Sequence, residues 1–239
     1  MLHGMKTGSR GLINGAVMIR KLVATSSLVA ATLAPPAAAQ QGQTLPNVAT
    51  AVANVQAFYN GTNTFSANFQ QQYLAHAYNT TKTSSGHVIF SKPGRMSWDY
   101  ASPPGNRIVS DGTTLRVYEA AQQQMYELTV SQSQYPAALS FLTGQGSLAS
   151  TFDFTILPGA QLQYTGGYVL VGIPKVATPA YTKVLFYVDQ ATSQVLRVLI
   201  LDGQQNRNRF DFSNAQANTA ITPTQFTFNP PPGTTIVKP

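Results

Sequence analysis

Polar and apolar residues alternate along much of this chain, which predicts a protein built mainly from β-strands. Phe65, Ala67 and Phe69 alternate with polar neighbours, and this period of two is typical of a strand with one buried face. Between residues 86 and 118, Pro93-Gly94 and Asp111-Gly112 separate further strand-like runs, and such pairs favour tight turns. The stretch 86–118 therefore predicts an antiparallel meander.

Three segments have helical spacing instead. Residues 45–59 place apolar side chains three or four positions apart, with Pro46 suited to the first turn and Gly61 just after the end. Residues 136–142 predict a short apolar helical turn that Gly144 ends, and residues 146–150 predict another. We expect one amphipathic helix at the start of the domain and short helical segments in its middle.

The remaining alternating runs predict more strands, which brings the total to about ten or eleven. Residues 79–85 are polar and turn-like. The further predicted strands are 123–130, 152–157, 161–164, 168–173, 184–188, 195–201, 206–212 and 225–228. Together they indicate a mainly β (α+β) domain with one large, strongly curled antiparallel sheet and helices against one face. Residues 184–188 and 195–201 are apolar on both faces, so each face needs a cover: helices, the curvature of the sheet, or a ligand.

The N-terminal residues 1–39 resemble a cleaved secretory signal peptide. Basic side chains precede an apolar run at residues 22–33, which Pro35-Pro36 and three alanines ending at Ala39 follow. The run is short and interrupted by hydroxyl side chains, which disfavours the competing interpretation as a membrane anchor. Residues 40–239 then form a single domain, and Met18 is an alternative start of the chain.

Composition excludes several classes of site. Four of the 15 basic residues and none of the eight acidic residues lie within 1–39, so the remainder has a net charge near +3. Its basic residues are scattered, which argues against a nucleic-acid partner. The absence of cysteine excludes disulfides, thiolate metal ligands and lipidation at cysteine.

No catalytic arrangement is apparent. His76 and His87 lie outside any metal-spaced cluster and are expected to be exposed strand residues. The aspartates are mostly placed at strand ends, where their side chains favour turns. These residues therefore disfavour an enzyme and a metal site.

Met96, Trp98 and Tyr100 share the parity of one strand and are expected to face the same side. Periodicity does not distinguish a packed core from a cavity lined for a ligand. Both interpretations of the apolar face therefore stand at this point.

The order of motifs resembles the LolA-type periplasmic lipoprotein carriers. After the amphipathic helix come FSANFQQ at residues 65–71, Gly86 with a strand that runs to Lys92-Pro93, and then MSW at residues 96–98. The same order continues through PP at 103–104, VSDG at 109–112, LRVY at 115–118 and FTF at 226–228 before PPPG. The resemblance covers nearly all of residues 40–239.

This resemblance implies an unclosed β-barrel whose concave apolar face is covered by a helical lid, without cofactor or catalysis. It implies a location in the periplasm of a Gram-negative bacterium, where a carrier is most simply a monomer. The carrier would receive lipoproteins from an ATP-driven inner-membrane exporter and deliver them to an acceptor protein of the outer membrane or to that membrane itself. The residues expected to line the acyl-chain site are Phe69, Phe90, Met96, Trp98, Leu115, Val117, Leu139 and Leu142.

Lys92 is the expected lid contact, and here the sequence departs from the family pattern. These carriers usually have arginine before this proline, and it is thought to hold the lid through hydrogen bonds to helix backbone. Lysine keeps the charge but lacks the planar fork of donors, so we expect a looser or different attachment, with Arg95 as a substitute.

Three function classes follow from this sequence. The first is the lipoprotein carrier. The second is a lipid-binding sensor or regulatory module, or a carrier of another lipid, on the same half-barrel. The third is a secreted hydrolase with an unrecognised site, which would require a polar cluster in the cavity.

Overall fold

A computed structural model of the chain describes residues 44–130, 137–144 and 146–238. The predicted signal peptide at residues 1–39 lies outside the described residues, as does Pro136 at the start of the predicted second helical segment. The two α-helices of the described part are α1 (Val48–Asn60) and α2 (Leu148–Thr151), and a 3-10 helix (Ala137–Thr143) precedes α2.

The described residues contain twelve strands in one sheet, one more than the highest number predicted. The strands are β1 (Thr64–Ala75), β2 (Thr80–Ser91), β3 (Arg95–Ser102), β4 (Arg107–Asp111), β5 (Thr114–Glu119), β6 (Gln124–Thr129), β7 (Phe152–Pro158), β8 (Gly167–Pro174), β9 (Lys183–Asp189), β10 (Val195–Leu201), β11 (Arg207–Ala217) and β12 (Thr235–Val237).

Their order across the sheet is β12-β6-β5-β4-β3-β2-β1-β11-β10-β9-β8-β7, and β7 and β12 at the two ends do not pair with each other. Every pair is antiparallel except β12 with β6. The predicted mainly β, unclosed sheet with an N-terminal helix is thus confirmed, with one parallel pair that the sequence did not predict.

The start of α1 shows why the helix begins later than predicted. The Asn47 side chain accepts a hydrogen bond from the Thr50 amide at 2.8 Å and caps the helix, which leaves Pro46 before the cap instead of in the first turn. Ala51, Val52 and Val55 are buried on one side of the helix. This apolar side lies on the sheet face that we call the inner face, and the opposite face is the outer face.

The predicted meander over 86–118 is confirmed. Its turns leave β2 at Pro93-Gly94 and β4 at Asp111-Gly112, and Gly94 and Gly112 have φ angles of 69° and 103°. Glycine populates such positive φ values without the steric penalty of a side chain. The Asp111 carboxylate accepts hydrogen bonds from the amides of Thr113 and Thr114, as expected for a turn-forming aspartate.

Three local predictions are wrong. Residues 79–85 are not a turn, because β2 already begins at Thr80 and the β1–β2 hairpin closes at Asn79 with φ 47°. Residues 161–164 are not a strand, since a 3-10 helix covers Gly159–Leu162. Residues 225–228 are not a strand either: Thr222 and Gln225 form a capping box for a 3-10 helix over Pro223–Phe226.

Candidate functional site

The predicted lining residues come together on the inner face and in the helices above it. Phe69, Phe90, Met96, Trp98 and Leu115 are at most 4% exposed, and Val117 is partly buried against the same cluster. Leu139 and Leu142 belong to this cluster from the 3-10 helix Ala137–Thr143. In this structure the sheet and the helices are in direct contact, so these residues form a packed core.

Trp98 lies at the centre of this core. Its ring centre is 4.9 Å from that of Phe69, 5.7 Å from that of Phe90 and 5.3 Å from that of Phe210. The side chain is fully buried, and its indole Nε1 has no hydrogen-bond partner among the described residues. A buried donor without an acceptor costs roughly 1–3 kcal/mol, so the centre of the core is apolar at a cost to stability.

Gly86 permits the close packing beside Trp98. It lies between Phe69 of β1 and Tyr100 of β3 in the register of the sheet, and the rings of those two residues meet across it at 5.0 Å. A Cβ atom at Gly86 would lie 2.0 Å from the carbonyl oxygen of Asp99 and 3.0 Å from the Phe69 ring. Only glycine fits here without a shift of the backbone.

The helical layer consists of α1, the 3-10 helix Ala137–Thr143 and α2. Tyr59 at the end of α1 joins this layer to the sheet, because its hydroxyl accepts a hydrogen bond from the Val195 amide at 3.1 Å. Its ring packs edge-on against Phe141 at 4.8 Å. Burial raises the pKa of Tyr59, so the phenol stays neutral in the core. Gln56 connects α1 to α2 by accepting a hydrogen bond from the Leu148 amide at 2.8 Å.

Lys92 connects the β2–β3 turn to α1 and to the end of the 3-10 helix Ala137–Thr143. Its Nζ donates to the carbonyl oxygens of Tyr59 and Asn60, the latter at 3.3 Å, and these are the last two residues of α1. A cation at a helix C-terminus also interacts favourably with the helix dipole. Its methylene groups fill the space beside Gly144, where a Cβ atom would lie 2.8 Å from Lys92 Cδ. Burial lowers the pKa of the Lys92 amine.

Arg95 makes different contacts from those expected of a substitute for the family arginine. Its guanidinium donates to the Ser91 hydroxyl at 3.0 Å and lies 5.2 Å from the centre of the Phe226 ring. Arg95 therefore attaches the 3-10 helix Pro223–Phe226 to the meander. Among the side chains of the β2–β3 turn in the described part, Lys92 is the one whose bonds reach α1.

The structure adds members of the inner core that the sequence did not single out as site residues: Tyr59, Phe141, Phe186, Phe210 and Phe212. Phe210 and Phe212 share the parity of β11, and each lies opposite a residue of β1 in the sheet. The sequence shows that Phe210 and Phe212 alternate with polar residues. It does not show that their strand pairs with β1, because the two segments are about 140 residues apart and periodicity is a local signal.

The buried polar residues of the described part are Thr62, Ser91, Ser97, Ser110 and Thr143. This set contains no carboxylate or imidazole, so the polar cluster that a hydrolase would require is not found in it. His76 and His87 are exposed, as predicted, but His76 begins the 3-10 helix His76–Tyr78 and is not in a strand, whereas His87 lies in β2. Among the described residues, no three His, Cys, Asp or Glu side chains lie close enough together to hold a metal ion.

A search of the described helices for a possible membrane span finds none that is long and apolar enough.

The chain matches one family model and is similar to several known proteins. The family model for outer membrane lipoprotein carrier protein LolA matches residues 60–229. The chain is 29% identical to an outer-membrane lipoprotein carrier protein of Nitrosomonas europaea, over 81% of this chain and 92% of that one. It is 28% identical to one of Bordetella avium, over 92% of this chain and 100% of that one. A solved structure of a LolA superfamily protein from Nitrosomonas europaea is 14% identical, covers 77% of this chain and 99% of its own, and superposes with a TM-score of 0.44.

Proposed function

The chain belongs to the family of the outer membrane lipoprotein carrier protein LolA, and we propose that it carries lipoproteins through the periplasm with their acyl chains held between the inner face and the helical layer. Members of this family are non-enzymatic transport chaperones. The proposed cargo is a lipoprotein released by an ATP-driven inner-membrane exporter. Its destination is the outer membrane, reached directly or through an acceptor protein, and the carrier acts as a monomer after its signal peptide is removed.

The observation that supports this proposal is the continuous apolar layer between the sheet and the three short helical segments. Each methylene group that leaves water contributes about 0.8 kcal/mol, so an acyl chain in transit needs an apolar container. The inner core supplies apolar and aromatic side chains from at least four strands and from all three helical segments. Acyl chains would take the place of the present contacts between helices and sheet.

A cover that opens needs few attachments. The polar contacts of α1 with the rest of the described chain include those made by Lys92, by the Tyr59 hydroxyl and by Gln56. Such hydrogen bonds contribute on the order of 1 kcal/mol each, which is small beside the burial of an acyl chain. We therefore propose Lys92 as the lid contact that breaks when cargo enters.

Release from membranes combined with site-specific crosslinking tests the proposal. Spheroplasts of a Gram-negative host that express the cognate exporter and a lipoprotein are incubated with the purified protein. The photoreactive residue p-benzoylphenylalanine replaces Leu142 or Phe90 in the inner core, or Tyr78, which is 83% exposed on the β1–β2 hairpin. We expect lipoprotein to leave the membrane with the protein and to crosslink at residues 142 and 90.

The Tyr78 variant is the control for nonspecific contact and should not crosslink. Far-UV circular dichroism and thermal unfolding establish that the three variants fold alike. Lipoprotein that stays with the spheroplasts in the presence of active exporter would contradict the carrier function. Release with crosslinking at residue 78 alone would place the cargo outside the proposed site.

A further inference from the structure

The outer face carries a second apolar cluster that the carrier function does not explain. Its centre consists of Val169, Leu185 and Tyr187, which are at most 9% exposed, and the partly buried residues packed against them include Leu199 and Leu201. These residues alternate along β8, β9 and β10 with those of the inner core. Strands β9 and β10, which the sequence predicts to be apolar on both faces, therefore do have two apolar faces. Ile173 extends this surface at the end of β8 and is 44% exposed.

Three arginines lie beside this apolar cluster. In the register of the sheet, Arg197 of β10 lies opposite Asp211 of β11, Arg209 lies opposite Leu199, and Arg207 lies opposite Leu201. With Leu74, Leu162 and Leu199, the three arginines line an open cleft of about 500 Å³. The same cleft thus presents guanidinium groups and aliphatic side chains.

The positive charge of this cleft is only partly compensated. Asp211 accepts hydrogen bonds from Arg197 Nε and from Arg209 Nε and Nη2, the last two at 2.6 and 3.0 Å. Arg207 is exposed and has no ion pair among the described residues. One carboxylate therefore faces three guanidinium groups.

The two aspartates at the neighbouring strand ends are already engaged in turns. Asp189 accepts from the amides of Ala191 and Thr192, and Asp202 accepts from the amides of Gln204 and Asn206. The Tyr164 hydroxyl in the same cluster is buried without a hydrogen-bond partner among the described residues. Asp153 of β7 lies opposite Ile173 in the register of the sheet and pairs with Lys175 at 3.7 Å, so Asp153, Asp189 and Asp202 each already have a partner.

We infer that the outer face of β8–β11 is a docking surface for a membrane that contains anionic phospholipid. Phosphate groups would neutralise the arginines, since guanidinium donors match phosphate oxygens in charge and geometry. The exposed Ile173 shares the face of Val169 and Val171 and lies outside the arginine cleft, so a membrane surface covers both parts where a single small anion covers only the cleft. This surface lies opposite the proposed cargo site and leaves the helical layer free.

Vesicle flotation of the full chain, without cargo, tests the docking surface independently of the carrier function. The vesicles contain phosphatidylcholine alone or an equimolar mixture with phosphatidylglycerol. We expect the protein to float with the mixed vesicles and much less with phosphatidylcholine alone, and its binding to weaken as salt screens the charges. Arg207→Gln should weaken binding to the mixed vesicles roughly fivefold, because a basic residue near an anionic surface contributes on the order of a factor of five.

Matched variants separate this surface from net charge and general hydrophobicity. Lys82→Gln removes the same charge from another exposed residue. Lys82 lies opposite Tyr73 of β1, and Tyr73 is on the other face of the sheet from Leu74, which lines the arginine cleft. Ile173→Thr should weaken binding roughly two- to threefold through loss of apolar contact, whereas Ile236→Thr, at a residue 51% exposed on β12, should leave it unchanged.

Equal binding to both kinds of vesicle would overturn the inference. Equal losses for Arg207→Gln and Lys82→Gln would do the same, because they would show a net-charge effect. Failure to float with either kind of vesicle, together with saturable binding of inorganic phosphate by the protein, would also overturn it, since the cleft would then be a site for a free anion. Lipoprotein release in the spheroplast assay is a separate result that none of these outcomes determines.

Discussion

Lys92 performs two physical tasks with different parts of one side chain. The ammonium group donates to the last carbonyls of α1, and the methylene stem packs beside Gly144 at the end of the 3-10 helix Ala137–Thr143. Lysine has three donors on a flexible stem instead of the planar fork of arginine, and two carbonyl oxygens one residue apart suit such a head group. Our expectation that the helix is attached differently through lysine therefore has a geometric basis, and whether the attachment is looser stays a prediction.

Two substitutions separate these tasks. Lys92→Met removes the charge and the donors but keeps an unbranched stem, so we expect the free energy of unfolding to fall by about 1 kcal/mol through the lost helix-terminal bonds. Lys92→Ala also removes the stem and should cost roughly 1 kcal/mol more. Urea unfolding measures both values. Lys82→Met is the control, because Lys82 is exposed, and its effect should be within the error; equal losses for Met and Ala would show that the stem contributes nothing.

At the scale of elements, the C-terminal segment fastens the edge of the sheet. β12 pairs in parallel with β6, and Lys238 just after it contacts Glu127 Oε1 at 2.9 Å. Arg116 of β5 holds the other oxygen of Glu127 at 3.1 Å. Before β12, the Phe228 ring packs on Tyr118 at 5.3 Å. The segment thus covers an edge strand whose unpaired backbone groups would otherwise be open to other chains.

Acid should loosen β12. The hydrogen bond from Lys238 and the positive charges of Lys238 and Arg116 lower the pKa of Glu127 from its ordinary value of 4.5. A carboxyl group with a lowered folded-state pKa contributes stability that is present above the unfolded-state pKa and is lost as the pH falls through the folded-state pKa. The loss therefore falls below about pH 4.5. We expect the hydrogen-exchange protection of the Thr235 amide, which bonds to Gln123, to fall roughly two- to fivefold in that range.

Glu127→Gln should show the reduced protection already at neutral pH and little further change on acidification. Glu119→Gln, at the end of the neighbouring strand β5, is the matched control and should behave like the unmodified protein. A protection factor at Thr235 that is the same at pH 7 and pH 3 in the unmodified chain would contradict the role of Glu127 at this edge.

The elements that the sequence predicts and those that it does not differ mainly in how far apart along the chain their determining residues lie. α1 and the strands of the meander follow from residue spacing and from turn residues such as Gly94 and Gly112, which act locally. β12 is three residues long, and its parallel pairing with β6 joins segments about 110 residues apart, so nothing local indicated it. The 3-10 helix Pro223–Phe226 did have a local signal in Thr222, Pro223 and Gln225, which the alternation around Phe226 and Phe228 obscured.

At the scale of the whole molecule, one sheet has two faces of different character. The inner face is apolar and covered, and its predicted lining residues were identified from the order of motifs, since periodicity gives the same pattern for a core and for a cavity. The outer face combines leucines with arginines, and its cleft depends on the pairing of β10 with β11. Sequence showed that strands β9 and β10 are apolar on both faces, but the position of the arginines beside them follows only from the register.

The single tryptophan of the chain can report whether cargo enters between sheet and helices. Trp98 is fully buried with no acceptor for its indole N–H among the described residues, so the closed protein should give one indole resonance with slow hydrogen exchange. A synthetic triacylated lipopeptide brings ester and amide carbonyls and displaces neighbouring rings, and we expect it to shift this resonance in a nitrogen–proton correlation spectrum. The same peptide without acyl chains should leave the resonance in place. Saturable binding of the lipopeptide with an unmoved indole signal would show that the acyl chains do not reach the part of the inner core packed around Trp98.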